Sequence, residues 1–228
     1  TNTLPLHFAK EAEVLALKLL RGGGLHSILI KMKKTFSIEY KDIISIENLL
    51  EAWKEFLNGK TKRKDVQEFQ KNLMPNIISL HNDLANKIYK HDKYYPFNIS
   101  DPKPRNIHKA SVRDRILHRA IYRKLYQFFD KTFISDSFSC RLDKGTHRAL
   151  NRFKQFGNRV SKNNTKTCWI LKGDIKKCFA SIDHQILIKI IKEYIKNEDI
   201  TRLLERIIKS FNTKGKPDTG LPLGNLTS

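Results

Sequence analysis

"TCWILKGDIKKCFASIDH", residues 167–184, decides how the rest of the chain is read. Its first half is apolar and rich in strand-favouring residues, and it predicts the best strand in the chain over 167–175. Asp174 stands at the C-terminal end of that strand, just before the chain turns toward a helix. Ligand sites favour that edge of a sheet. Lys172, Lys176 and Lys177 ring the carboxylate. Magnesium takes few hard oxygens from protein and the rest from phosphate and water, so an aspartate among lysines suits a magnesium–phosphate site. Two such ions clamp the attacking and leaving oxygens of a phosphoryl transfer. On these residues alone a turn cap or a surface charge is the commoner explanation of Asp174. Asp183 reads as the cap of the next helix, with Ile182 and Leu187 as its hydrophobic staple.

The surroundings are strongly basic. The 228 residues hold 44 Lys/Arg against 23 Asp/Glu, a net charge of +21. Such a surplus repels itself, and a polyanionic partner relieves it. Nucleic acid is the first candidate and an anionic membrane the second. No apolar stretch approaches the roughly 18 residues that span a bilayer. Residues 101–166 carry 17 Lys/Arg and 5 Asp/Glu, interleaved with Ile, Leu, Phe and Tyr. That pattern suits a folded basic surface better than a tail, with a merely solvated face as the alternative. Cys140, Cys168 and Cys178 lack CxxC spacing and read as reduced thiols of a cytoplasmic protein, without zinc or disulfides. The length allows one large domain or two small ones.

Residues 1–31 look foreign to the rest. "RGGG" (21–24) breaks a short apolar segment, and Met32 opens what reads as a natural start. They are expected to be upstream translation or a flexible appendage. A helical region follows over 32–93. Ser45 caps a helix carrying Leu49, Leu50, Trp53, Phe56 and Leu57, which Asn58-Gly59 ends. Val66, Phe69, Leu73, Ile77, Leu80, Leu84 and Ile88 predict a second helix, kinked or split by Pro75. "YYPFNI" (94–99) reads as a strand and "DPKPR" (101–105) as a turn. Ser111 and Asp114 make a capping-box-like start. Behind them Val112, Ile116, Ile121, Leu125 and Phe128 face one way, and Arg115, Arg119 and Arg123 another. A last helix carries Ile200, Leu203, Leu204, Ile207, Ile208 and Phe211. In "GLPLGNLTS" (220–228) two glycines let a loop approach a ligand closely before the first turn of a helix.

"KGDIKKCFASIDHQIL" (172–187), followed by "GLPLGNLTS", resembles motifs A and B of reverse transcriptases. "DPKPRNIHKASVRDRILHRAI" (101–121) and "SDSFSCRLDKGTHRAL" (135–150) resemble their upstream fingers motifs. The match runs from about residue 40 to 228 in the family's order. In particular the motifs resemble the bacterial enzymes of diversity-generating retroelements and their group II intron-like relatives. The resemblance implies an α/β (α+β), helix-rich fold: the fingers of a right-hand polymerase over 94–166 and an incomplete palm over 167–228. The motif with paired aspartates lies beyond these residues. The chain as given is therefore expected to bind nucleic acid without extending a primer. The implied activity of the longer form is RNA-directed DNA synthesis with two Mg2+ ions. The implied partners are template RNA, DNA primer and product, dNTPs and a retroelement accessory protein, with no membrane. The competing reading is a non-catalytic basic nucleic-acid-binding module in which Asp174 is only a cap.

Roles carry over by position. The resemblance makes Asp174 the catalytic carboxylate and metal ligand, with the Ile175 carbonyl as a second ligand. Phe179 matches the steric gate that excludes a 2′-hydroxyl; on the residues alone it reads as core. Arg105, assisted by Lys103, matches the fingers arginine on the triphosphate, where its fork donates paired hydrogen bonds. Leu223 and Gly224 lie under the nucleotide. Most of the family carries Gln at the position of Leu223, and an aliphatic residue resembles the diversity-generating subgroup. Gly173 and Cys178 also depart from the commoner residues. Arg115, Arg119, Arg123, Arg141, Lys144, Gly145, His147 and Arg148 are expected on template or primer backbone.

Overall fold

The computed structural model describes residues 36–100 and 104–225. The foreign-looking stretch 1–31 and Lys103 lie outside the described residues. Helix α1 (Tyr40–Ile44) runs almost directly into α2 (Ile46–Leu57). Ser45 separates them, its hydroxyl accepting the Asn48 N–H at 3.2 Å, which satisfies one of the donors a helix start leaves open. Leu49, Ala52, Trp53 and Phe56 face inward from α2, which stops at Asn58.

The long periodic run that follows is two helices, α3 (Lys64–Lys71) and α4 (Leu73–Ala85), parted at Asn72. Pro75 explains the break. It has no N–H and its ring clashes with a preceding turn, yet it is tolerated in the first turn of α4. Ile88 lies past the end of α4 and is exposed, so the periodicity overruns the helix by one member.

Strands β1 (Tyr95–Ser100) and β2 (Pro104–Lys109) pair antiparallel, Phe97 opposite Ile107 and Ile99 opposite Arg105. Pro104 and Arg105 therefore belong to a strand and not to the turn expected over 101–105. Helix α5 (Val112–Phe129) begins at Ser111, whose hydroxyl accepts the Asp114 N–H at 3.2 Å. It lies along α2 and buries Ile116, Leu117, Ala120 and Ile121. Helices α6 (Gly145–Val160), α7 (His184–Tyr194) and α8 (Glu198–Lys209) complete the order. Asp183 caps α7 as expected, accepting the Ile186 N–H at 2.9 Å. Leu203, Leu204 and Ile207 of α8 join the core built on α2, α4 and α5.

The expected strand over 167–175 is not formed. The segment is extended, pairs with no strand among the described residues, and leaves Trp169 94% and Leu171 99% exposed. Apolar, β-rich composition favours a strand only where a neighbour supplies hydrogen bonds and a face to pack on. Helix α6 shows the same lack. None of its residues is buried, and Leu150, Phe153, Phe156 and Val160 remain exposed.

A polar knot joins the chain just before β1 to the start of α5. Asp114, with no exposed surface, accepts from the Tyr89 hydroxyl at 2.7 Å, the Ser111 hydroxyl at 2.8 Å and the Asp92 N–H at 3.0 Å. Beside it His118 is buried against the His91 ring, centroids 5.2 Å apart, and neither of its ring nitrogens has a hydrogen-bond partner among the described residues. Burial, with His91 and Arg115 adding to it, lowers the His118 pKa to about 3. The unfolded chain therefore takes up this proton first. The stability is fully present above the unfolded value of about 6.5 and drains as pH falls toward about 3. By pH 5 the loss from this group is about 2 kcal/mol. Urea titrations between pH 7 and 5 are expected to show it, and His118→Phe to flatten it. An unchanged slope in that variant would assign the acid sensitivity to other groups.

Candidate nucleotide-binding site

The loop 220–225 is where the distant motifs meet. On one side it is stitched to the turn before α7. The Leu221 N–H donates to the Phe179 carbonyl at 2.8 Å, and the Gly220 N–H to the Ile182 carbonyl at 2.7 Å. His184, fully buried at the start of α7, holds the Gly220 carbonyl at 2.7 Å through Nε2. A carbonyl only accepts, so this nitrogen carries the proton. On the other side the His108 N–H of β2 donates to the Leu223 carbonyl at 3.0 Å. The structure thus joins β2, the Phe179 turn and the glycine loop in one hydrogen-bonded unit.

Gly220 is required there. Its φ is +102°, and a Cβ would lie 2.1 Å from Thr213 Oγ1. That hydroxyl is held by donating to the Ala180 carbonyl at 3.0 Å. Gly220→Ala is expected to cost about 2–4 kcal/mol, from the strained backbone and the clash together. Thr213→Ala in the same chain should recover part of it. Chemical denaturation measures both; a cost under about 0.5 kcal/mol would mean that the loop relocates freely.

Apart from Lys103, each expected site residue has a definite place. Arg105 is exposed on β2 and has no acidic partner among the described residues. Phe179 opens a short 3-10 turn (Phe179–Ser181) and packs half-buried against Ile188, Ile208 and Leu221. Leu223 is half-buried, and Gly224 has φ +102°. Asp174 and Ile175 are exposed in the extended segment, five and four residues before Phe179. Asp174 and the Ile175 carbonyl are hard oxygens of the kind a divalent ion takes. In number they fall short, because no cluster of three metal-ligating side chains occurs among the described residues.

The basic residues divide into two kinds. Arg115 binds Asp65 at 2.6 Å, and Lys109 shares that carboxylate at 2.7 Å. Arg123 and Arg119 both turn to Glu55. The arginine stripe therefore ties α5 to α2 and α3, with each side chain largely covered. Arg141 is spent internally as well, on the Asp130 carboxylate at 2.8 Å and the Ile134 carbonyl at 3.0 Å. Lys144 reaches the Ser135 carbonyl at 2.8 Å. Gly145, at φ +81°, turns the chain into α6, which presents His147 and Arg148 to solvent; Arg148 also reaches back to the Asp143 carbonyl.

Comparison with known proteins decides the family. The profile of "Reverse transcriptase (RNA-dependent DNA polymerase)" matches residues 88–228, well over half of the chain. The chain belongs to the reverse transcriptase family. It is 29% identical, over 65% of its length, to a putative COX1/OXI3 intron 1 protein of Saccharomyces cerevisiae, covering 18% of that protein. It is 26% identical, over 61% of its length, to the group II intron-encoded protein LtrA of Lactococcus lactis subsp. cremoris, covering 24% of it. The reverse transcriptase resembled is thus of the group II intron-like type, and the chain spans less than a third of these relatives. In fold it is similar to a chain of a partial Cas6-RT-Cas1--Cas2 complex, with a TM-score of 0.54, 19% identity and 83% of this chain covered. The helix-rich α+β architecture is accordingly that of a reverse transcriptase's fingers and palm region.

Two residues that build the site were not singled out from sequence as site residues, His184 and Asn225. The signal for Asn225 was its place directly after Gly224 in the glycine loop. His184 showed only as the residue after a helix cap.

Proposed function

We propose that this chain forms the nucleotide-selecting part of an RNA-directed DNA polymerase that copies template RNA from a DNA primer with dNTPs. The supporting observation is the hydrogen-bonded unit of β2, the Phe179 turn and the glycine loop. It assembles the strand of Arg105, the proposed sugar gate and the proposed floor beneath the base. Arg105, exposed and without an acidic partner among the described residues, would bind the triphosphate, with Lys103 assisting. Phe179 would stand against the sugar's second carbon and exclude ribonucleotides. Leu223 and Gly224 would lie under the base, and the aliphatic side chain of Leu223 supports a place near the diversity-generating subgroup. Asp174 and Ile175 would contribute to a Mg2+ site that polarises phosphate oxygens when filled.

Template and primer backbone would run over the cations around α6, with Arg148 and His147 exposed and Lys144 and Gly145 shaping the turn. Arg115, Arg119, Arg123 and Arg141 would add to the positive field while serving first as internal clamps. An accessory protein is a further proposed partner.

The test is extension of a DNA primer on an RNA template by the full-length protein with Mg2+ and each dNTP. Complementary DNA is the expected product. Salt-sensitive RNA binding without extension would favour the non-catalytic binding module.

A further inference from the structure

Asn225 is polar yet 3% exposed, and both ends of its carboxamide are engaged. Its Nδ2 donates to the His108 carbonyl at 2.8 Å, and its Oδ1 faces the Ala110 N–H at 3.4 Å. An asparagine side chain carries the donor and acceptor of a peptide group. With the bond from His108 N–H to the Leu223 carbonyl, it pairs with the end of β2 as a third strand would. Across the hairpin, the residue opposite His108 is Pro96, which has no N–H to offer. Both backbone polar groups of His108, its N–H and its carbonyl, are taken up by the glycine loop.

The other end of the loop is fixed independently. Leu221, Gly220 and His184 bind it to the turn at Phe179 and Ile182. Between the two anchors lie Pro222, Leu223 and Gly224. Arg105 sits on the same strand as His108, three residues earlier. We propose that Asn225 is a positioning residue that locks the strand bearing Arg105 to the Leu223–Gly224 backbone. The contact to the triphosphate and the surface under the base then move as one body. Nothing in the side chain touches nucleotide; it acts through β2. The inference rests on the polymerase reading above.

Two measurements on Asn225→Ala test it. In the 228-residue chain, amide hydrogen exchange at His108 and Ala110 is expected to quicken about tenfold, while Leu117 in the middle of α5 keeps its rate. In the full-length protein, the KM for the incoming dNTP is expected to rise about five- to tenfold with kcat within about twofold, the scale of one buried hydrogen bond. Unchanged exchange at His108 and Ala110 overturns the brace. Faster exchange at Leu117 as well, with kcat and KM worsening together, makes Asn225 a general fold residue and overturns the positioning role. A parent that copies no RNA overturns the polymerase reading and this role with it. A copying parent whose variant keeps its nucleotide KM overturns the positioning role alone.

Discussion

Asp114→Ala is expected to cost the fold about 4 kcal/mol and to lower its thermal midpoint by about 8–16 °C. The carboxylate is wholly buried and receives the Tyr89 hydroxyl, the Ser111 hydroxyl and the Asp92 N–H. Alanine strands the buried Tyr89 hydroxyl, at about 1–3 kcal/mol, and also takes the acceptor from the Ser111 hydroxyl and the Asp92 N–H. The Tyr89 phenol cannot escape by ionising, because burial first and Asp114 second push its pKa far up. Asp114→Asn keeps an acceptor for Tyr89 and should lose about half as much. Differential scanning calorimetry of the three proteins is the measurement. A shift under about 2 °C for the alanine variant would mean that the knot reorganises or takes in water. The effect is expected to reach the site as well, because this knot fixes Ser111, the cap of α5, which directly follows Ala110 and lies two residues past the end of β2.

Asp174→Asn carries the largest expected effect on activity. Asp174 is exposed and has no salt-bridge partner among the described residues, so the change should leave the thermal midpoint within about 1 °C, as for ordinary surface positions. Synthesis by the full-length protein should nevertheless fall by about 10³-fold or more. The carboxamide keeps the shape but removes the anionic oxygen that the proposed Mg2+ site would use, and charge stabilisation worth several kcal/mol converts at about 1.4 kcal/mol per tenfold in rate. Template binding, dominated by phosphate contacts, should be almost unaffected. Primer-extension rates and filter binding on the same preparations separate the two. Retained synthesis would return Asp174 to the status of a turn residue.

Local chemistry was legible in the sequence, and pairing over distance was not. Ser45, Ser111 and Asp183 announced their helices because a cap needs only its own first turn. Pro75 announced the split of α3 from α4 for the same reason. The extent of α6 carried no such mark, since Lys144 offers no acceptor for a helix start. The residues over 167–175 had strand composition, but a strand also needs a partner that composition cannot supply. The arginines of α5 were correctly placed on one stripe. Their carboxylates, Asp65 and Glu55, lie 50 or more residues away in the chain, and no spacing rule joins them. Asp114 was readable as a capping partner, whereas its bonds to Tyr89 and Asp92 were not. In the site, the glycine loop stood out by its glycines and proline. Its anchors, His184 and Asn225, are ordinary polar residues until the fold buries them.

The exposed segment before Asp174 also gives the protein an optical reporter. The chain holds 2 tryptophans, Trp53 at 3% exposure and Trp169 at 94%. Trp53 lies among Phe56 and Phe69, shielded from a dissolved quencher; Trp169 meets solvent on nearly every side. The emission spectrum is then the sum of a short-wavelength component that acrylamide barely touches and a long-wavelength component that it extinguishes. Whatever covers the 167–171 segment, a nucleic acid or a protein partner, changes the second component alone. Occupancy of the surface around Trp169 can be followed in the unlabelled protein, without an activity assay.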